Sequence, residues 1–358
     1  MSNSVQQRDP YIDVLRALAI ISIVIGHGGG MIPIIDRPLS SFVYLYHLMM
    51  FFFISGLCFK KEYGTQPYLY MGKRIKSLAP TFILYSVFFT LIHNQLLALH
   101  MISSEQYLYG MDNWLEGILM AFSLWSSEPL LGAFWFISVY LVGNCVFSFL
   151  FSEAEKKKCP LLFHLIFILV TALIGIYVNA RRIYINYHLQ TAVLGIPVIY
   201  LGFAVRSSWQ KCQKYIHWLG GLICAGILLW IVAADIGGIE LARNEIMSPV
   251  LFYPVTVTGI YFCMALAKYL NRVHPTQKVF AYIGRNSYHI MALHFLAFKI
   301  VDFIYGTIYK APYSEMEAFP HGFYSLGQIH NLAGIILPLV FIEILRFVIR
   351  PKIFQQFP

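Results

Sequence analysis

Three residues of the apolar stretch YIDVLRALAIISIVIGHGGG (11–30) supply an acid, a permanent cation and a titratable base: Asp13, Arg16 and His27. A segment that only had to cross a bilayer would be apolar through its middle, where each charged group costs roughly 2.5–3.5 kcal/mol on insertion scales. Arg16 and His27 are eleven residues apart. Eleven steps of about 100° return to nearly the same bearing on an α-helix, with about 16 Å of rise between the two. Asp13 shares that face one turn earlier. A buried Asp–Arg pair with a histidine at the membrane border is the plainer reading, but it gives the shared face no use.

Polar residues recur in other apolar stretches. SFVYLYHLMMFFFISGLCFKK (41–61) carries His47, expected at a depth like that of His27, and the small pair Ser55–Gly56 near its other end. KRIKSLAP (73–80) ends a loop and sets Lys73, Arg74 and Lys76 where the third span enters the membrane. Such a cluster suits lipid headgroups or a phosphorylated ligand, since guanidinium forks match phosphate. GAFWFISVYLVGN (132–144) contributes Trp135 and Asn144. In YIGRNSYHIMALHFLAFK (282–299), Gly284, Arg285, Asn286 and Ser287 read as a break followed by a helix start, whose free N–H groups favour an anion. His294 lies about 10 Å beyond Ser287 at helical rise, and His289 faces elsewhere.

These parts fit one chemistry. Phosphates held by Arg16, Lys73, Arg74, Lys76, Arg285 and Asn286 would anchor a ligand whose long arm runs along the Arg16–His27 face. Coenzyme A has that shape. A neutral His27 at the end of the arm could take the proton of an alcohol as its oxygen attacks a thioester, with Asp13, His47 and His294 as candidate assistants. No serine or cysteine is placed for a covalent acyl-enzyme, so direct transfer is expected, and the scheme needs no metal.

The elements that must position these groups are membrane helices. Of 358 residues, 58% are hydrophobic and 12% charged, with a mean hydropathy of +0.65. Soluble domains carry about 25% charged residues, so one integral membrane domain over 1–358 is expected. Aromatics at 16% suit interfacial belts and a lined cavity. The net charge of +9 is not read as a nucleic-acid footprint, because its location fits a membrane. The six cysteines form no CxxC pair, which argues against disulfides and zinc. The charged residues inside the first segment also argue against a cleavable signal peptide.

Ten runs long enough to span occur near 11–28, 42–59, 78–99, 131–151, 161–179, 189–205, 217–234, 249–269, 284–305 and 332–349. Residues 114–126 are short and carry Glu116, so an amphipathic helix at the outer surface is expected there. With both termini cytoplasmic, nineteen of the 26 lysines and arginines fall on the inner side, Arg8, Arg350 and Lys352 among them. Only Arg37, Arg181, Arg182, Arg243 and Lys310 fall outside, a strong positive-inside asymmetry for a multi-pass protein of the inner (plasma) membrane.

YIDVLRALAIISIVIGH resembles the opening block of the membrane acyltransferase family 3. YHLMMFFFISG, RIKSLAP, FWFISVYLVGN and IGRNSYHIMALHFLAFK are similar to its later blocks, nearest the fucose 4-O-acetylase-like and polysaccharide O-acetyltransferase branch. The resemblance implies acetyl transfer from acetyl-CoA to a hydroxyl of a glycan or lipid-linked sugar. It also implies that His27 is the catalytic histidine and Arg16 its partner for the CoA moiety. Two departures stand out. Ser77 occupies a position where many members have Arg, and VYLVGN lacks the Glu that many carry after the Trp block, which leaves the orienting acid of His27 unnamed. A transporter of sugars or lipid intermediates is the alternative, but no inverted repeat or pair of broken helices supports it. A sensor that kept the fold and lost catalysis fits poorly with the retained Asp13, Arg16 and His27. Acceptor contacts are expected from the loops 100–130 and 306–331, with His321, Tyr324 and His330; a homo-oligomer is compatible with all of this.

Overall fold

Apolar runs that cannot leave backbone groups unpaired in lipid must fold as helices, and they do. The computed structural model describes residues 9–349, so Arg8, Arg350 and Lys352 lie outside the described residues. The chain runs through α1 (Pro10–Gly28), a hairpin of β1 (Met31–Ile32) and β2 (Arg37–Pro38), α2 (Leu39–Val43), α3 (His47–Cys58), α4 (Pro67–Ala98) and α5 (Met111–Phe122). It continues through α6 (Trp135–Glu155), α7 (Pro160–Ala180), α8 (Leu189–Ser207), α9 (Trp209–Tyr215) and α10 (Trp218–Ala233). A second hairpin, β3 (Ile239–Glu240) with β4 (Glu245–Ile246), precedes α11 (Phe252–Leu270), α12 (His274–Arg285), α13 (Ser287–Tyr309), α14 (Tyr313–Glu317) and α15 (Gly327–Ile349).

Nine helical segments among the described residues are long and apolar enough to span, and α10, with 16 residues, is a shorter tenth. The chain is an all-α, multi-pass membrane protein. α1 lies at its centre, packed against α3, α11, α12, α13 and α15. Small residues set the closest crossings, as expected where packing rather than solvent exclusion joins helices. A Cβ on Gly56 of α3 would overlap the Ile199 carbonyl of α8, and one on Gly202 of α8 would overlap the Phe53 carbonyl of α3.

Two expected boundaries need correction. The third helix starts at Pro67, not near 78, because a helix needs apolar residues only where it meets lipid; Lys73, Arg74 and Lys76 therefore ride on α4 rather than on a loop. The run from 284 begins as α13 at Ser287, directly after α12. The run 42–59 is one span, Leu39–Cys58, made of α2 and α3 with a turn at Tyr44–Tyr46, so His47 opens α3. The amphipathic segment folds as α5 against α4, with Gly117 facing Thr90 and Leu115, Leu119 and Phe122 exposed.

Candidate active site

α1 starts where Asp9 accepts a hydrogen bond from the Tyr11 N–H (3.0 Å) and Pro10 occupies the first turn. It ends at two glycines with positive φ, Gly29 (82°) and Gly30 (108°), a conformation that L side chains rarely adopt. His27 is thereby held in the last turn, half-buried. Its Nδ1 lies 3.1 Å from Nε2 of His294, and the two rings stack with centroids 5.2 Å apart. His294 is fully buried, and its Nδ1 is 2.9 Å from the Met291 carbonyl. A carbonyl only accepts, so the His294 Nδ1 carries the proton and its Nε2 is the acceptor. His27 must then donate from Nδ1, which leaves its Nε2 lone pair free to act as a base.

His27 and His47 line one small cavity of about 30 Å³. The His47 Nδ1 donates to the Val43 carbonyl (3.1 Å) and its ring stacks on Tyr44, with no hydrogen bond to His27 among the described residues. Next to it, a cavity of about 470 Å³ is lined by three guanidiniums, Arg16, Arg74 and Arg285, together with Ser77 and Ser287, and by no carboxylate. Phe136 and Met291 line both cavities. Asp13, buried, accepts from Arg16 at 3.0 Å and so fixes its fork. Arg74 donates to the Tyr70 hydroxyl (2.9 Å) and to Ser55 Oγ (2.6 Å), and both of these hydroxyls donate to Asn144 Oδ1. The amide in the middle of α6 thus roots a buried network that aims Arg74.

A family model described as an acyltransferase domain matches residues 9–342. The chain belongs to acyltransferase family 3. No curated protein and no solved structure matches it.

Within this family-3 acyltransferase the other sequence candidates separate. Asp13 sits fourteen residues from His27 on one helix, about 21 Å of rise, so it serves Arg16 and is out of reach of the histidine. Lys73 is exposed and donates to the Tyr63 hydroxyl (3.2 Å), Lys76 is exposed, and neither lines the arginine cavity. Asn286 bonds the Tyr282 carbonyl (2.9 Å) and accepts from Arg346 (2.9 Å), tying the α12–α13 bend to α15. No side chain caps the start of α13, and Ser287 there lines the arginine cavity. His289 faces away and pairs with the Tyr85 hydroxyl (2.8 Å).

Among the described residues, the side chain within hydrogen-bond distance of the His27 ring is a histidine, His294. The partner sequence reasoning missed is Tyr70, which needed the helical start of α4; His294, a candidate assistant of His27, is brought to it across 267 positions.

The loops 100–130 and 306–331 meet each other and together line a cavity of about 440 Å³. Glu317 accepts from His100 (2.7 Å) and from the Ser104 N–H (2.9 Å), so these loops close on each other. His321 and His330 are buried and stacked (4.4 Å), and His330 Nε2 bonds Asp302 (2.9 Å). Buried Lys299 donates to the Met316 and Ala318 carbonyls and lies 3.7 Å from Asp302. This cluster braces the glycine turn after His27 from behind. Tyr324 is exposed. The loop 235–247 also reaches His27: Glu240, Leu241 and Ala242 line its pocket.

Proposed function

We propose that this acyltransferase moves an acetyl group from cytoplasmic acetyl-CoA to a hydroxyl of a cell-surface or lipid-linked glycan at the inner (plasma) membrane, as in the fucose 4-O-acetylase-like branch. The observation that carries the reading is the adjacency of two unlike cavities: one with three guanidiniums and no acid, the other with an imidazole base, sharing Phe136 and Met291 as walls. The first suits the phosphates of the nucleotide head. The ~16 Å of rise between Arg16 and His27 suits the extended arm that ends in the thioester. The excess of basic residues on the side of the termini supports a cytoplasmic position for the arginine end.

The acceptor hydroxyl gives its proton to His27 Nε2 as its oxygen attacks the thioester carbonyl. The tetrahedral intermediate collapses with cleavage of the C–S bond. The leaving thiolate takes the proton back from His27, giving the acetyl ester and CoA thiol. His294, accepting from His27 Nδ1–H, stabilises the transient imidazolium and fixes its orientation. Among the described residues no serine or cysteine lines the His27 pocket, which supports direct transfer without an acyl-enzyme.

The test is acetyl transfer by purified protein in lipid nanodiscs, supplied with acetyl-CoA and envelope glycans, alongside CoA binding. His27→Ala should bind CoA and lose transfer. Transfer by that variant at the wild-type rate would end the proposal.

A further inference from the structure

On the other side of the His27 pocket lies a cavity of about 650 Å³, within the range of small-ligand sites. It meets the His27 pocket at Tyr44 and Glu240, which line both. Its wall chemistry is opposite to that of the arginine cavity. Arg37 and Arg182 alternate with Asp235, Glu240 and Glu245, and Asn179 adds an amide. Arg37 and Asp235 face each other at 3.9 Å. Hydroxyl groups both donate and accept, so a wall that interleaves carboxylates with guanidiniums can satisfy many of them at once. Three carboxylates against two guanidiniums leave the wall with a formal charge of −1, which favours an uncharged ligand over an anionic one.

The hairpin that brings two of these carboxylates gains little from their pairing. Glu240 and Glu245 are direct cross-strand partners in a ladder only two residues long, and like charges at that position destabilise the pair. The Glu240 carboxylate accepts one hydrogen bond among the described residues, from the Ala242 N–H at 3.3 Å. Tyr44, its counterpart across the junction, is fixed by a bond from its hydroxyl to the Gly26 carbonyl (3.0 Å), one residue before His27.

We infer that this cavity is the acceptor site, that it takes an uncharged polyhydroxylated sugar rather than an anionic one, and that Glu240 accepts a hydroxyl neighbouring the one presented to His27. The inference rests on the acyl-transfer reading above for what happens to the sugar, and on the cavity alone for what binds there.

The experiment uses the full chain in nanodiscs and two photoreactive disaccharide glycosides that carry a diazirine, one neutral and one with a uronic acid, with labelled peptides read by mass spectrometry. CoA binding is measured in parallel. The neutral probe should label residues within 37–45 and 235–247 and be competed by neutral glycosides, while the uronate probe labels about tenfold less. Glu240→Gln should raise the acceptor KM about tenfold and leave the acetyl-CoA KM within about twofold. Asp235→Asn combined with Glu245→Gln should narrow the preference for the neutral probe. Labelling elsewhere, or equal labelling by both probes, overturns the inference. CoA that fails to bind overturns the acyl-transfer reading while the labelling still judges the cavity.

Discussion

Gly284 of α12 and Asp13 of α1 touch backbone to backbone: a Cβ on Gly284 would overlap the Asp13 carbonyl oxygen. The helix carrying Arg285 is pressed onto the helix carrying Arg16. Gly284→Ala should push α12 outward and spread the two guanidiniums. Overpacking of this kind costs about 1–3 kcal/mol, so the melting midpoint falls and the acetyl-CoA KM rises several-fold. Gly72→Ala, inside α4 where a Cβ meets nothing within 4 Å, should leave the acetyl-CoA KM unchanged and should not lower the midpoint. Thermal melts and steady-state kinetics on the pair check this.

The tautomer of His27 depends on His294, so substitutions there should act on turnover and spare donor binding. His294→Phe should lower kcat by roughly 10²–10⁴, the range associated with positioned acid–base catalysis. His294→Gln keeps an oxygen that can accept from His27 Nδ1–H and should recover part of the loss. A rise in the acetyl-CoA KM without a fall in kcat would refute the assignment.

The arginines should show the reverse split. Arg16→Ala, Arg74→Ala and Arg285→Ala each remove a charge-assisted donor, about 2 kcal/mol, and should raise the acetyl-CoA KM about 30-fold with little change in kcat. Lys73→Ala and Lys76→Ala, whose side chains stand off the cavity, should stay within about twofold. Competition by CoA against a fluorescent CoA analogue reads the affinities directly.

His321 gives the fold a pH dependence. Burial, with His330 beside it, lowers its pKa from 6.5 to about 4. Its folded form resists protonation while the unfolded chain accepts a proton, so stability is lost as the pH falls from about 6.5 toward 4. Melts at pH 7 and pH 5 should therefore differ, with the lower midpoint at pH 5. His321→Gln should shrink that difference; an unchanged difference would exclude His321 as its source.

Much of this arrangement was legible in the residue order, and the exceptions have physical causes. Apolar runs read as spans because a helix crossing lipid advertises its length, and the eleven-residue interval puts Arg16 and His27 on one face whatever surrounds them. The first eleven residues of α4 were invisible by the same logic, since a helix outside the bilayer needs no apolar run. Once they are helical, Arg74 and Ser77, three apart, share the face that lines the cavity. Lys73 and Lys76 share the neighbouring face, so the cluster divides by bearing rather than acting as one patch. The direct contact of His27 with His294 left no trace in any local pattern, because the two candidates lie 267 positions apart and on different helices.

The bottleneck around His27 has one more consequence. It holds a water or two, while the chambers on either side are more than ten times as large. If donor and acceptor arrive from opposite faces of the bilayer, as in the proposed function, they must be joined without short-circuiting the ion gradient between those faces. A throat this narrow, walled by Phe136, Met291 and Tyr44, is plugged by a thioester tip or a single hydroxyl. The reactants themselves are then the gasket.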